Sequence, residues 1–212
     1  MSDSYQTLFV MNIPVFRIME LFSKYNIILA SNSPRRKELL AGLDIPFEVK
    51  TLPDIDESFP ENLSGLEIPV FIAKAKADAY KQFLDKKSLL ITADTIVWLD
   101  NKVYGKPVDA ADAFSMLKAL SGKTHEVITG VCLTTQDKQV VFSAVSKVKF
   151  AHLEDAEIQY YIEKYKPYDK AGSYGVQEWI GYIGVESLEG SFYNVMGLPI
   201  RLLYQHLKLL NN

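Results

Sequence analysis

Leu29-Ala-Ser-Asn-Ser-Pro-Arg-Arg-Lys-Glu-Leu-Leu40 predicts the end of a buried strand, a tight turn and the first turns of a helix. The apolar run from Asn26 that leads into it is typical of a strand covered on both faces. Ser33 is suited to cap the helix, and Pro34 takes the first helical position, where a missing N–H costs nothing. The rest of the chain is organised around this strand–turn–helix unit.

Three cations, Arg35, Arg36 and Lys37, fall in the first turns of the predicted helix. Because a helix N-terminus already carries partial positive charge, each exposed cation there costs about 0.3–1 kcal/mol. An anion over this turn would offset the cost, since backbone N–H groups and two guanidinium groups would converge on phosphate oxygens. The alternative is that both arginines point into water, and spacing alone does not decide between the two.

Strands and helices alternate along the rest of the chain, with hairpins among them. Predicted helices cover residues 66–83, 110–120, 153–164 and 199–210, and predicted strands cover 45–51, 88–99, 103–104, 126–135 and 140–150. This order predicts an α/β fold with a mixed sheet and flanking helices rather than a purely parallel sheet. A further strand is predicted at 179–185, between two glycine-containing corners.

Composition narrows the class of protein. The chain has 212 residues, and its net charge of −3 argues against a broad nucleic-acid or membrane footprint. A single cysteine excludes an internal disulfide framework and fits a reducing compartment. No apolar run reaches the length of a membrane helix, and the stretch 8–16 lacks the flanks of a signal peptide. We therefore expect a cytoplasmic globular protein with no nucleic-acid polymer or membrane as partner.

Asp94 interrupts an otherwise apolar strand, in Ala93-Asp-Thr95. A carboxylate there must be paired, metal-bound or at an exposed bend, because burying it alone is costly. It is a candidate general base or metal ligand; the alternative is an aspartate that caps a neighbouring turn. A second carboxylate is expected from the acidic loop, most plausibly Glu57, although such a loop can be merely solvated and offers competitors: Asp54, Asp56 and Glu61.

Three more side chains are candidates for binding. Lys76 lies between alanines that leave room for a ligand, although the pattern alone favours an ordinary surface lysine. Lys106 follows the hairpin after Asp94 and could return to the same site, or be a plain loop lysine. Gln177, in the glycine-rich segment 171–178, carries a donor and an acceptor that can recognise one edge of a nucleobase. The alternative is that this segment only turns the chain.

Several enzyme classes are excluded by their motifs. Gly122-Lys-Thr124 resembles the end of a P-loop, but Leu117 stands where that pattern requires glycine, so we expect a turn. The three histidines, His125, His152 and His206, are scattered and have no cysteine pair nearby, which excludes a zinc pattern. A hydrolase triad lacks its nucleophile elbow.

Taken together, these motifs resemble the Maf nucleotide pyrophosphatases. The similarity covers about residues 26–210, in family order, through these segments: 29–40, 93–95, 105–107, 121–127, 170–177 and 190–199. It implies an elongated mixed α/β fold with two lobes around a cleft, similar to the inosine-triphosphate pyrophosphatases. It also implies hydrolysis of nucleoside triphosphates to the monophosphate and pyrophosphate with a divalent cation, Mg²⁺ or Mn²⁺. Residues 1–25 would be an N-terminal extension and 26–212 the catalytic domain.

The resemblance implies roles for nine residues. Asp94 matches the catalytic aspartate, the proton acceptor for water, and with Glu57 it is a candidate metal ligand. The other positions match residues that bind substrate or determine its choice: Ser31, Arg35, Arg36, Lys76, Thr95, Lys106 and Gln177. The pair Thr95 and Gln177 resembles the dTTP/UTP branch.

Two alternatives to that activity stay open at the level of sequence. One is a Maf-type pyrophosphatase for 7-methyl-GTP or other modified nucleotides. The other is a nucleotide-binding regulator of cell division with little turnover, against which the candidate base and both lysines argue. In either case the expected partner is a small nucleotide, and a homodimer is compatible with the family.

Overall fold

A computed structural model describes residues 22–211, and their strands form one seven-stranded sheet in the order β2-β1-β3-β5-β6-β7, with β4 paired to β3. The strands are β1 (Asn26–Leu29), β2 (Phe47–Val49), β3 (Ser88–Leu99), β4 (Lys102–Tyr104), β5 (Thr124–Thr134), β6 (Gln139–Phe150) and β7 (Val185–Glu189). The helices are α1 (Pro34–Ala41), α2 (Glu67–Tyr80), α3 (Ala110–Leu120), α4 (Asp155–Tyr165), α5 (Trp179–Gly184), α6 (Phe192–Val195) and α7 (Ile200–Asn211). Short 3₁₀ turns lie at Lys81–Phe83 and Ala171–Ser173.

The sheet is mixed, as predicted. β1 runs parallel to both β2 and β3. The pairs β3–β4, β3–β5, β5–β6 and β6–β7 are antiparallel. The antiparallel pairs β3–β4 and β5–β6 are hairpins, whereas β3–β5 and β6–β7 pair across longer connections that contain helices. The parallel pairs come from the two segments that contain α1 and α2. The predicted helices and most predicted strands agree with these elements to within a few residues, so the predicted α/β class is confirmed.

The long strands join two halves of the core. The first half of β3, with Leu89 and Ile91, packs in a cluster with β1, α1 and α7. The second half, with Val97 and Leu99, packs in a cluster with α3 and α4. Because β3 and β5 run through both clusters, the molecule has two lobes with a shared sheet, which matches the predicted arrangement.

A gap in the sheet lies where the lobes meet. β3 pairs with β1 through Ser88–Ile91 and with β4 through Val97–Leu99. Between these stretches, at 92–96, β3 has a strand partner only on its β5 edge within residues 22–211. An open position between two neighbouring strands is where α/β sheets bind ligands, and Asp94 lies in its middle.

One predicted strand is wrong. Residues Trp179–Gly184 form α5, and the strand begins only at Val185. Trp, Ile and Tyr favour strands locally, but packing decides here. Ile180 and Gly184, four residues apart, are both buried, and the Trp179 ring packs edge-on against Tyr160 of α4.

The first described residues contact the last helix. The described residues begin at 22, so most of the predicted extension, residues 1–21, lies outside them. Phe22 is buried against Tyr204 of α7, with 5.5 Å between ring centroids. Lys24 Nζ donates to Leu210 O at 3.1 Å. Among the helices of the described chain, we find none whose length and hydrophobicity would let it cross a bilayer.

Candidate active site

The turn after β1 brings the start of α1 to the gap in β3. Ala30 N donates to Ile91 O at 2.9 Å, so the chain stays beside β3 until it turns. Ser33 Oγ then accepts from Arg36 N at 3.4 Å, which confirms the predicted N-cap, and Pro34 occupies the first turn. Ser31 Oγ accepts from Ser33 N at 3.2 Å and closes the turn.

Arg36 fills the gap itself. Its Nη1 donates to Ala93 O at 2.8 Å, the carbonyl that a neighbouring strand would otherwise bind. Nε donates to Gly197 O at 2.8 Å and Nη2 to Thr95 Oγ1 at 2.9 Å. Burial lowers the pKa of this guanidinium, while the charge of Asp94 opposes that effect. Arg36 therefore joins three segments of the cleft and keeps a positive charge at its floor.

Arg35 lies at the side of the cleft. Its Nη1 donates to Asp169 Oδ2 at 2.7 Å, and Lys170 Nζ contacts the other oxygen, Oδ1, at 2.7 Å. Burial tends to raise the pKa of Asp169, but the bonds from Lys170 and Arg35 outweigh it and lower that pKa. Since both arginines make contacts within the protein, the interpretation in which they merely point into water is wrong.

Lys76 joins two carboxylates at the centre of the site. Its Nζ lies 2.8 Å from Asp94 Oδ1 and 3.0 Å from Glu57 Oε1. α2 is held against β3 at this level because Thr92 Oγ1 donates to Ala73 O at 2.7 Å. Partial burial disfavours the charged form of Glu57, but the positive charge of Lys76, with those of Lys106 and Arg36, prevails and lowers its pKa.

The two lysines differ in exposure. The Lys76 side chain is only 12% exposed, so the alternative of an ordinary surface lysine is wrong. Lys106 is 61% exposed, and its Nζ lies 3.9 Å from Glu57 Oε2. Lys106 thus lies at the rim, where its flexible side chain is free to reach a ligand.

The hydroxyl of Thr95 is part of a buried chain of hydrogen bonds. Thr129 Oγ1 donates to Asn194 O at 3.2 Å, so the 3.0 Å contact between Thr95 and Thr129 is a bond donated by Thr95. Thr95 also accepts from Arg36. Its donor and one acceptor position are therefore occupied, and its methyl group and position shape the cleft wall.

Gln177 contributes an acceptor to the lining of the cleft. Its Oε1 is buried and finds no hydrogen-bond partner among the described residues. A buried polar atom without a partner costs free energy, and a donor on a bound ligand would remove that cost. Gly175 and Gly197 lie in the same lining.

The nine residues predicted for the site all line one cleft of about 410 Å³. That volume suits a small molecule. They are Ser31, Arg35, Arg36, Glu57, Lys76, Asp94, Thr95, Lys106 and Gln177. Of the competing acidic residues, Asp54 also lines the cleft, whereas Asp56 bonds to Ser58 and is exposed.

Some lining residues were not predicted. Tyr80 Oη accepts from Leu52 N at 2.7 Å and donates to Lys50 O at 3.1 Å, which holds that segment at the rim. Its position within the helix predicted over residues 66–83 gave no sign of this role. Asp169 was also missed, since its partner Arg35 lies far away in sequence and no spacing pattern connects them.

A divalent cation is compatible with this set of donors. Within residues 22–211 no three acidic, histidine or cysteine side chains come together as a preformed cage. Asp94 and Glu57 nevertheless turn their oxygens to the same ammonium group. Mg²⁺ typically binds through one or two carboxylates, with waters and substrate phosphates as the other ligands. The two carboxylates of this cleft are compatible with such a site.

Comparison with known proteins identifies the family. Residues 26–210 match the family described as Maf-like protein. The chain is 61% identical over 191 residues to a dTTP/UTP pyrophosphatase of Parabacteroides distasonis, covering 90% of this chain and 99% of that protein. Identity to proteins of the same name is 62% over 193 residues in Phocaeicola vulgatus, covering 91% and 100%, and 49% over 193 residues in Flavobacterium johnsoniae, covering 91% and 99%.

Solved structures align less closely. A HAM1 protein from Coxiella burnetii aligns over 61% of this chain and 74% of its own, with 19% identity and a TM-score of 0.41. That likeness is too small to bear on the chemistry. The sequence match covers nearly all of the described residues, including the strand–turn–helix unit and the glycine-rich segment that line the cleft. The chain belongs to the Maf family.

Proposed function

We propose that the protein is a nucleoside triphosphate pyrophosphatase that hydrolyses dTTP and UTP to the monophosphate and pyrophosphate. The observation that carries the proposal is the Asp94 carboxylate, fixed beside Lys76 and Glu57 in a cleft lined with cations. Family membership and relatives named dTTP/UTP pyrophosphatase support the choice of substrate.

The cleft offers several cations to a triphosphate. A nucleoside triphosphate carries nearly four negative charges at neutral pH, and five cationic side chains line the cleft: Arg35, Arg36, Lys76, Lys106 and Lys170. Arg36 acts chiefly through its charge, because its three nitrogens already bond to protein oxygens. Lys106, exposed at the rim, is the cation most free to follow the phosphates. Such preorganised cations stabilise charge on the leaving pyrophosphate.

Asp94 would act as the general base. Its Oδ1 is held by Lys76, while Oδ2 has no hydrogen bond within the described chain and can accept a proton. A water oxygen forms a bond to the α-phosphorus as its proton moves to Asp94, and the bond from that phosphorus to the bridging oxygen breaks. Pyrophosphate leaves with the electron pair. A positioned general base contributes roughly 10²–10⁴-fold.

A divalent cation would be held by Glu57 and Asp94 together with the phosphates of the nucleotide. When bound, it neutralises phosphate charge and polarises the phosphoryl oxygens. Lys76 supports this role from the protein side, because it keeps both carboxylates turned into the cleft. The carboxylates would thus bind the metal and accept the proton, whereas the cationic side chains would bind the phosphates.

Gln177 would recognise the base. Uracil and thymine carry an N3–H donor flanked by two carbonyl oxygens, and the Gln177 amide offers a complementary acceptor and donor. The unpartnered Oε1 described above is the acceptor for N3–H. This assignment makes Gln177 a determinant of binding rather than of the chemical step.

The test is pyrophosphate release from dTTP, UTP, CTP, GTP, ATP and 7-methyl-GTP with Mg²⁺. We expect fast release from dTTP and UTP alone. Release from 7-methyl-GTP alone would keep the reaction class and overturn the proposed base recognition. No release from any nucleotide, with Mg²⁺ or with Mn²⁺, together with nucleotide binding, would favour a regulatory protein instead.

A further inference from the structure

A buried network lies behind Gln177 and has no place in the chemistry above. Lys170 Nζ lies 3.2 Å from Glu178 Oε1, and the two side chains are only 9% and 20% exposed. The second oxygen of Glu178 accepts from the hydroxyl of Tyr161, a fully buried residue of α4. Because buried charges are costly to desolvate, a network of this kind adds little stability and more often fixes a particular conformation.

The network holds the backbone turn 175–178 from two sides. Gly175 N donates to Tyr161 Oη at 3.0 Å, and Glu178 N donates to Gly175 O at 2.9 Å. The Glu178 side chain folds back over the turn, so closely that a Cβ on Gly175 would lie 2.8 Å from Glu178 Cδ. Tyr161 therefore bonds to both ends of the turn at once.

Helix α5 closes the turn from the other direction. A Cβ on Gly181 would lie 1.9 Å from Val176 O, which is far inside any permitted contact. α5 thus packs its bare backbone directly against the turn. Between these two supports, the segment has little room to change its path.

Gln177 is the residue that this arrangement presents to the cleft. Its Oε1 has no hydrogen-bond partner among the described residues, so no hydrogen bond there fixes the direction of that oxygen. The position from which the amide reaches the cleft therefore depends on the backbone that carries the side chain. A one-ångström error in that backbone would spoil a hydrogen bond to a base, since such bonds weaken steeply with distance and angle.

We propose that Tyr161 is a positioning residue for base selection. Its hydroxyl joins the Glu178 carboxylate to the Gly175 N–H and so holds the turn in the form that points Gln177 at the base. Lys170 completes the network by holding the other oxygen of Glu178. This inference rests on the proposed function, in which Gln177 recognises uracil and thymine.

The matched pair Tyr161→Phe and Tyr160→Phe tests it. The two tyrosines are neighbours on α4, but Tyr160 is 43% exposed and its hydroxyl accepts from Lys164 Nζ at 2.7 Å, away from the turn. In Tyr161→Phe we expect KM for UTP and dTTP to rise about tenfold, as for one lost hydrogen bond, with kcat within twofold. Inhibition by tripolyphosphate, which has no base, should not change. Tyr160→Phe should match the wild type.

A readout that is independent of activity is hydrogen exchange in the segment 169–181. Loss of the Tyr161 hydroxyl should speed exchange of the Gly175 amide, whereas Tyr160→Phe should not. Glu178→Gln is a second variant in case Tyr161→Phe folds poorly, and it should give the same change in KM. Faster exchange with unchanged preference for UTP and dTTP would overturn the proposal, as would unchanged exchange.

Failure of the proposed function is separable from failure of this inference. If the wild type releases pyrophosphate from none of the nucleotides, the proposed reaction is wrong, and calorimetric binding of UTP against CTP then decides the positioning role. A loss of UTP affinity in Tyr161→Phe alone would support it. Absence of any UTP binding, or equal affinity in the two variants, would overturn it.

Discussion

Lys76 and Asp94 form an ion pair of 2.8 Å at the floor of the cleft, and the same ammonium group lies 3.0 Å from Glu57. A single cation therefore pairs with two carboxylates and turns them toward one point. Lys76 comes from α2 and Asp94 from the middle of β3, so this relationship depends on how the helix packs across the sheet. Removal of the ammonium would leave two carboxylates close together without their shared partner.

Lys76→Met should raise the pKa of Glu57, because the positive charge of Lys76 that lowers it is lost while partial burial persists. We expect kcat to fall by at least about tenfold and the acid limb of the pH–rate profile to move to higher pH. The control is Lys74→Met, an exposed position on the same helix. An unchanged acid limb in Lys76→Met would show that the Lys76–Glu57 pair does not control the pH dependence of the rate.

Asp94→Asn should lose at least about 10²-fold in kcat while it keeps nucleotide affinity, because asparagine preserves shape but accepts no proton from water. Pyrophosphate release gives kcat, and calorimetry with UTP gives affinity. A thermal melt of the variant separates loss of the base from loss of fold. Activity close to that of the wild type would exclude Asp94 as the base.

Much of this site was predictable from local sequence. Ser33 and Pro34 indicate where the helix after β1 begins, because the preference of serine for the N-cap and of proline for the first turn depends only on the local chain. Asp94 stands out because a carboxylate interrupts an apolar strand, and its need for a partner follows from the cost of burial. Both features depend on the chain near them, which is why they could be predicted without knowledge of the fold.

Other features depend on contacts between distant segments. Lys76 looks like a surface residue until α2 packs on β3 and turns it inward. Arg35 was predicted, but its partner Asp169 was not, because a loop 134 residues away supplies that carboxylate. The helix Trp179–Gly184 was predicted as a strand because local preference favours a strand and packing on α4 overrides it. Tertiary packing therefore determines these features.

Gln177→Glu should weaken recognition of uracil and thymine, because a carboxylate accepts hydrogen bonds but donates none. We expect kcat/KM for UTP and dTTP to fall about tenfold or more, mainly through KM, with inhibition by tripolyphosphate weakened less. Gln205→Glu, an exposed position on α7, adds the same charge away from the cleft. Equal UTP kinetics in wild type and Gln177→Glu would reject Gln177 as a base contact.

His125 should make the fold sensitive to acid. It is buried beside Tyr174, with 2.7 Å between Nε2 and the tyrosine oxygen, and burial lowers its pKa from 6.5 to about 4. Between these pH values the imidazole of His125 therefore binds a proton in the unfolded chain but not in the folded chain. This contribution to stability is complete above about pH 6.5 and is lost as the pH falls toward 4, by about 3 kcal/mol in all.

Urea unfolding at a series of pH values between 4 and 7 measures that slope. His125→Phe should flatten it, whatever its effect on stability at neutral pH, because phenylalanine does not titrate. His152→Gln, at an exposed position, should keep the slope of the wild type. A slope that survives in His125→Phe would place the acid sensitivity elsewhere.

The affinity of the protein for metal should depend on bound nucleotide. Glu57 and Asp94 are the two carboxylates beside Lys76, and the described residues contain no cage of three ligands, so the phosphates must complete the coordination sphere. Calorimetry should show weak binding of Mg²⁺ to the free protein and tighter binding with a non-hydrolysable UTP analogue. Glu57→Gln should raise the Mg²⁺ concentration for half-maximal activity about tenfold, with activity recovered at saturating metal. Tight binding of Mg²⁺ to the free protein would show that the phosphates are not needed as ligands. The same metal dependence in Glu57→Gln and the wild type would show that Glu57 is not a ligand.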